Sequence, residues 1–390
     1  MPRVAHLFRF EQGSGLIMLL AAGLALVAAN SPLAPLYQEI HHSPVHLRLG
    51  AFAFKAPLVE WINQGLMVFF FLLVGLEIKR QFIEGHFATV KCALLPAFAA
   101  LGGMATPALL YWLLNQGDAV ALRGWAIPTA TDIVLALGVL SLLGQRVPAH
   151  LRVFLTTLAI FDDIGAVAII GVFYGDGFPG PALWAAALAG AALVALNRFA
   201  VVAASAYVAA GLALWIAMFE AGLNAALAGV VIALAVPMRT RGFSPLRAAT
   251  RRLHPWSILV IVPAFAFFNA GVAIDHAAFA GLFSPLGLGI AGGLFLGKQA
   301  GIFAMAWLAV RLGIAEKPAT LRWRQLYGGA VLAGVGFTMS LFITALAFDN
   351  PTMAATARLA ILAGSLLSAT AGMLVLWLGD RVSGRAGIAR

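Results

Sequence analysis

The sequence predicts an all-α polytopic membrane protein: twelve transmembrane helices, with one short β-hairpin after the first. Three observations predict it. Of 390 residues, 62% are hydrophobic and only 10% charged, at a mean hydropathy of +0.96; a soluble domain carries about 25% charged residues. Apolar stretches of roughly 20 residues, enough to span ~30 Å of hydrocarbon, recur along the whole chain. The basic residues gather in the short links on one side of those stretches, as the positive-inside bias requires.

Cutting at charged residues, prolines and glycines places the spans at 13–30, 59–84, 94–116, 121–144, 149–175, 181–198, 202–219, 221–237, 255–275, 286–311, 325–348 and 353–379. The first could pass for a signal peptide, but its apolar region is long, Glu11 precedes it and similar spans follow, so it reads as a retained helix. After it, Val45 to Lys55 alternates apolar and polar residues on both sides of Gly50, the period of a β-hairpin, here placed at about 44–57. A lone hairpin is marginal in water. Pairing edge to edge with a second copy would satisfy its open hydrogen bonds, which makes it a candidate dimer contact. The eighth span, 221–237, is the shortest, and its loss would invert everything downstream.

With both termini inside, twenty basic residues fall on inner segments and four (Arg48, Lys55, Arg123 and Arg358) on outer ones, while Lys298 lies within a span. That bias supports twelve spans with cytoplasmic ends. The net charge of +10 therefore does not point to nucleic acid, because the basic residues sit in loops rather than on one face or tail. The single Cys92 excludes an internal disulfide, and no Cys/His spacing reads as a metal site.

Four charged residues fall deep inside spans: Asp132 in the fourth, Asp162 and Asp163 in the fifth, and Lys298 in the tenth. At 1.5 Å rise per residue they lie at about one depth, and intramembrane charges mark transport pathways or proton relays. Vicinal residues on a helix point about 100° apart, so Asp162 and Asp163 cannot both face one small ion. One can hold it while the other meets a different partner. Three carboxylates and one ammonium leave an excess of negative charge, to be offset by a cation or by protons. Low dielectric penalises the charged form of acid and base alike, which favours proton exchange. Two spans also carry backbone breakers at that depth: Pro128, four residues before Asp132, and the segment Gly334-Val335-Gly336-Phe337-Thr338. Broken backbone in a membrane is tolerated only where protein buries it or it lines a cavity.

Several strings carry a resemblance: Phe70-Phe71-Leu72-Leu73-Val74-Gly75-Leu76-Glu77-Ile78-Lys79-Arg80, Gly124-Trp125-Ala126-Ile127-Pro128-Thr129-Ala130-Thr131-Asp132-Ile133, Ile160-Phe161-Asp162-Asp163-Ile164-Gly165, Leu253-His254-Pro255-Trp256, Phe265 to Val272, Gly297-Lys298, and Gly336-Phe337-Thr338-Met339-Ser340. In this order the chain resembles the NhaA-type bacterial sodium/proton antiporters over essentially its whole length. The resemblance implies one antiporter domain over 1–390, with inverted repeats and two broken helices crossing at the membrane midplane. It implies electrogenic exchange of cytoplasmic Na⁺ or Li⁺ for external H⁺, for pH and sodium homeostasis, with no cofactor and no enzymatic activity. Asp163 would bind the ion, with Asp162 its neighbour at the Na⁺ site. Asp132 would lie between the broken helix ends, Lys298 would pair with an aspartate, and Thr131 would place a hydroxyl near the ion path. Pro128, Gly334, Gly336 and Thr338 would form the broken backbone.

Glu77, Lys79, Arg80 and His254 match the family's pH-responsive cytoplasmic access. Gln64 and Gln81 stand where acids are expected, Thr250 and Arg251 where an acid and a histidine are, and Asn224 where a histidine is; these departures bear on pH response, not on transport chemistry. The resemblance further implies a homodimer through the hairpin, in contact with membrane lipid, in a bacterial inner membrane with both termini cytoplasmic. Two rivals remain at this point. A different broken-helix ion-coupled carrier would share the architecture. An intramembrane aspartyl protease could use Asp132 and Asp162 as a dyad, but no Gly-x-Gly-Asp string occurs and that chemistry has no use for Lys298.

Overall fold

Helix dominates because lipid offers no partner for backbone N–H and C=O groups, so each span must satisfy its own. The computed structural model describes residues 2–49, 52–84, 90–144, 147–175, 180–240 and 242–386. In chain order these form α1 (Pro2–Ala29), α2 (Ala34–His42), β1 (Pro44–Leu49), β2 (Phe52–Pro57), α3 (Leu58–Glu84), α4 (Val90–Asn115), α5 (Ala119–Thr129), α6 (Ile133–Leu142), α7 (Ala149–Phe173) and α8 (Pro181–Arg198). There follow α9 (Ala204–Glu220), α10 (Ala225–Ala235), α11 (Pro245–Ala270), α12 (His276–Gly281), α13 (Pro285–Arg311), α14 (Trp323–Leu332), α15 (Phe337–Ala347) and α16 (Pro351–Ala386).

Among the described residues, seven helices are long and apolar enough to cross a membrane, and up to ten if each of three bent pairs is one span. Large apolar side chains such as Trp184 (78% exposed) and Leu188 (73%) face outward along α8, as lipid-facing helices require. β1 and β2 pair antiparallel, with Pro44 opposite Pro57 and His46 opposite Lys55. The hairpin therefore forms where the alternation placed it; its turn at Gly50 lies outside the described residues.

Span boundaries differ from the sequence reading most at three places: α1 begins at Pro2 rather than at residue 13, and two later spans shift. The 221–237 stretch is helical only over 225–235. Gly222 takes a left-handed φ of 70° that ends α9, and Pro237 disfavours helix at the residue before it. Eleven residues reach only about 16 Å. The 255–275 stretch is helical from Pro245 to Ala270 instead. Pro255 lies inside that helix, followed by a π-helical turn at Ser257–Ile261. Such turns re-route the ladder where proline withdraws an N–H.

The chain forms two compact units, residues 1–20, 89–166 and 272–390, and residues 21–88 and 167–271. In the first, α4 and α13 touch backbone to backbone. A Cβ on Gly301 would sit 2.1 Å from the Gly102 carbonyl oxygen, so only glycine fits. Small residues permit such close approach when helices pack in lipid. The same contact presents the π-helical turn Gly293–Gly297, directly before Lys298, to Pro107 and Pro128. In the second unit, α3 and α10 pack through Gly75 and Gly229, and Leu76, Ala233 and Leu246 form a buried cluster.

Candidate functional site

The first unit contains the two bent pairs α5–α6 and α14–α15, whose breaks the sequence predicts. A 3₁₀ turn over Arg123–Thr129, with Pro128 inside it, gives way to extended backbone at Ala130 (ψ 152°) before α6 begins. The second break separates α14 from α15, and the two pairs bend by 45° and 42°.

The breaks are hydrogen-bonded to one another. The Asp132 N–H donates to the Val335 carbonyl at 2.6 Å. Oδ1 of Asp132 accepts from the Leu135 N–H (2.9 Å), capping α6. Its Oδ2 accepts from the Thr338 N–H (3.0 Å) and hydroxyl (2.6 Å) at the start of α15. One carboxylate thus serves two helix N-termini, where unsatisfied N–H groups and the helix dipole favour negative charge. The Ser340 hydroxyl ties α15 to the Ile127 carbonyl at 2.7 Å. Gly336 is required by this closeness, because a Cβ there would lie 2.3 Å from Ser340 Oγ and 3.0 Å from the Ala130 carbonyl. Asp132→Ala is expected to remove both caps, at ~1 kcal/mol each, and to lower the thermal midpoint of the purified protein. An unchanged midpoint would contradict this capping role.

Asp162, on α7, meets the only buried ammonium among the described residues. Lys298 Nζ donates to its Oδ2, and both side chains are fully buried. The Thr131 hydroxyl lies 2.6 Å from the same oxygen and 2.8 Å from the Ala333 carbonyl in the second break. It has one proton for two acceptors, so it joins the ion pair to the broken backbone. Oδ1 of Asp162 is buried with no hydrogen-bond partner among the described residues.

Asp163 differs. It is 7% exposed and forms no hydrogen bond among the described residues. A carboxyl in apolar surroundings without donors is costly when charged, and its remaining interactions are with the charges of Asp162, Asp132 and Lys298. The helical separation read from the sequence is thus seen in partners, as Asp162 hydrogen-bonds with Lys298 and Thr131 while Asp163 hydrogen-bonds with neither. Among the described residues no three His, Cys, Asp or Glu side chains gather as a resident metal site.

Asp132, Asp162, Asp163, Thr131, Lys298, Pro128, Gly334, Gly336 and Thr338 all fall in the first unit, and Glu77, Lys79, Arg80 and His254 in the second. There, Glu77 pairs with Arg80 at 2.5 Å and accepts from Gln81 at 2.9 Å. Lys79 donates to the Leu234 and Val236 carbonyls, both at 2.6 Å, and so caps the C-terminus of α10. His254 is exposed, with Glu77 and Arg80 the charges acting on it. Gln64 donates to Glu60 at 3.1 Å, Asn224 caps Ala226, and the Thr250 hydroxyl returns to the Leu246 carbonyl.

Sequence reasoning missed Ser365, whose hydroxyl on α16 accepts from the Gly336 N–H at 3.3 Å, and Ser368, whose buried hydroxyl lies against Gly334. Their signal was small polar residues, Gly364-Ser365-x-x-Ser368, on an apolar helix, the usual glue of membrane interfaces.

A profile of the family described as Na⁺/H⁺ antiporter 1 matches residues 5–376. A Na⁺/H⁺ antiporter NhaA from Rhizorhabdus wittichii is 51% identical over 370 residues, covering 95% of this chain and 96% of the relative. Another from Bordetella parapertussis is 50% identical over 375 residues, 94% of each chain, and one from Pseudomonas putida is 47% identical over 378 residues, 96% and 97%. An integral membrane protein with apposed helix breaks around a buried Lys–Asp pair, matched from end to end by such relatives, is no soluble or enzymatic fold. The chain belongs to the Na⁺/H⁺ antiporter 1 family.

Proposed function

We propose that this protein is a secondary transporter exchanging Na⁺ for H⁺ at the site between the two helix breaks. The observation that carries it is a buried carboxyl, Asp163, that forms no hydrogen bond among the described residues, beside an aspartate already neutralised by a lysine. Facing the cytoplasm, Asp163 releases its proton and binds Na⁺, helped by hydroxyls such as Thr131 and by carbonyls of the broken helices. Facing outward, protons displace the ion. Asp132 holds the two half-helices at fixed spacing, and Pro128, Gly334, Gly336 and Thr338 keep their backbone open. Two protons for one Na⁺ would make exchange electrogenic, driven by an inward-negative potential toward Na⁺ export, sodium tolerance and pH homeostasis. The test is Na⁺-driven proton movement in proteoliposomes across a pH series, repeated with Li⁺. Competition requires the apparent KM for Na⁺ to rise as pH falls. A KM that does not move with pH would refute a shared site, and a failure of Li⁺ alone would restrict the cargo to Na⁺.

The architecture follows the same reading. The seven long helices, three bent pairs and two shorter apolar helices each overlap a different predicted span, with α2 lying beyond the first; that one-to-one order supports twelve crossings of an inner membrane by one antiporter domain over 1–390. Inverted repeats with breaks crossing at the midplane would explain why the bent pairs α5–α6 and α14–α15 carry their break near the middle. Reporters that fold only in the cytoplasm, fused after each span and at the C-terminus, test the crossings and the cytoplasmic termini. Glu77, Arg80 and His254 form a charged group suited to pH response, with Lys79 as its anchor; a pH–activity profile left unshifted by Glu77→Gln would remove them from that role. The hairpin supports a homodimer, since both its edges are open, and deleting 44–57 is expected to yield monomer by light scattering in lipid nanodiscs. Persistence of dimer would place the contact elsewhere.

A further inference from the structure

The N-terminal end of α11 is a basic amphipathic surface that the transport site does not use. Residues 239–252 contain five arginines, and no Asp or Glu occurs from 221 to 274. Leu246 is buried against Leu76 and Ala233, with Ala249 and Leu253 packed beside it. These residues at i, i+3 and i+7 fix one face inward. At 100° per residue, Arg247, Arg251 and Arg252 then share the outward face, and all three are exposed. Two aromatic side chains bracket them, Phe243 at 55% and Trp256 at 65% exposure.

The charge there is only partly answered by protein. Glu84, at the end of α3, binds Arg239 at 2.7 Å and Arg247 at 2.5 Å. Arg251 and Arg252 form no ion pair or hydrogen bond among the described residues. The 26-residue helix Pro245–Ala270 is about 39 Å long, against ~30 Å of hydrocarbon. The excess length lets its first turns, which carry the arginines, stand in the headgroup layer, where Trp belongs and where clustered arginines meet lipid phosphates. A soluble acidic partner would leave Trp256 and Phe243 unexplained, whereas the bilayer boundary accounts for aromatic and arginine together.

We propose that Arg251, Arg252 and Trp256 form a binding site for the phosphate headgroup of acidic phospholipids, with Glu84 holding Arg239 and Arg247 so that the outward face stays basic. Guanidinium forks suit phosphate oxygens through paired N–H donors, and Trp256 lies one turn beyond Arg252 on the same flank, at the acyl boundary. This rests on the chain being membrane-embedded and not on its transport reaction.

The test uses the full chain, delipidated in detergent and then mixed with phosphatidylglycerol or phosphatidylcholine, with bound lipid counted by native mass spectrometry. Wild type is expected to retain phosphatidylglycerol over phosphatidylcholine by several-fold, and Arg251→Gln with Arg252→Gln to lose most of that preference. Arg251→Lys with Arg252→Lys, which keeps the charge, is expected to retain part of it. Equal retention by wild type and the folded glutamine pair would overturn the proposal, as would no preference between the lipids in wild type. Should the pair fail to fold, Arg252→Gln alone gives the same reading. Inorganic phosphate competing at millimolar concentration without any lipid preference would reduce the site to an anion patch and also overturn it. Loss of transport with lipid preference intact would bear on the antiport reading alone.

Discussion

Asp163→Asn is expected to abolish Na⁺-dependent proton movement in proteoliposomes while leaving the protein as stable as wild type. The two halves of that result have one cause. The Asp163 carboxyl makes no hydrogen bond among the described residues and stays 7% exposed. Fold stability therefore gains nothing from its charge, and burying that charge costs desolvation. Asparagine keeps the volume, removes the cost and can neither release a proton nor hold a cation by charge. A rate loss on the order of 100-fold or more, about 2.7 kcal/mol, with an unchanged or higher thermal midpoint would mark a residue kept for function. Near wild-type transport by Asp163→Asn would sink the assignment. A collapsed midpoint would instead recast Asp163 as structural.

The contrast with Asp132 shows what the sequence could and could not carry. Depth and rarity of charge were legible: four ionisable residues at one level of three apolar spans predict a shared site, and Asp132, Asp162 and Lys298 do come together around the two breaks. Pro128 and the Gly334–Gly336 pair also announced those breaks, since each removes a backbone constraint that lipid otherwise enforces. The distribution of partners was not legible. That Asp132 would have both oxygens filled by helix N-termini depends on Thr338 lying across the break, a contact 206 residues away in sequence. That Thr131 would share one proton between Asp162 and Ala333 depends on an ångström-scale approach that no periodicity encodes. The π-helical turn Gly293–Gly297 before Lys298 was invisible for the same reason, since no periodicity separates a π from an α turn. Basic residues predict an orientation but hide their pairing: Lys79, read as a member of a charged access group, also closes the end of α10 with two carbonyl contacts.

Lys298→Ala is expected to be the most destabilising single change in the site, and the double variant with Asp162→Asn to recover most of the loss. Both side chains are fully buried and bonded to each other. Taking them out of water is expensive, and mutual attraction only roughly repays it, so the intact pair adds little net stability. Removing one partner is different: the remaining charge keeps its desolvation cost and loses its counter-ion, about 3–5 kcal/mol for a buried pair. Neutralising both removes the stranded charge, although the Thr131 hydroxyl at 2.6 Å must then share its hydrogen bond with an amide. The expected cycle is therefore strongly non-additive, read as thermal midpoints of four purified proteins. Additive losses would show that the two groups are not coupled. The same four proteins decide which group carries the second proton. If Lys298→Ala still moves net charge with Na⁺, the lysine is not an obligatory carrier and Asp162 inherits the role. If exchange continues but becomes electroneutral, the proton lost with the lysine is the one that made it electrogenic.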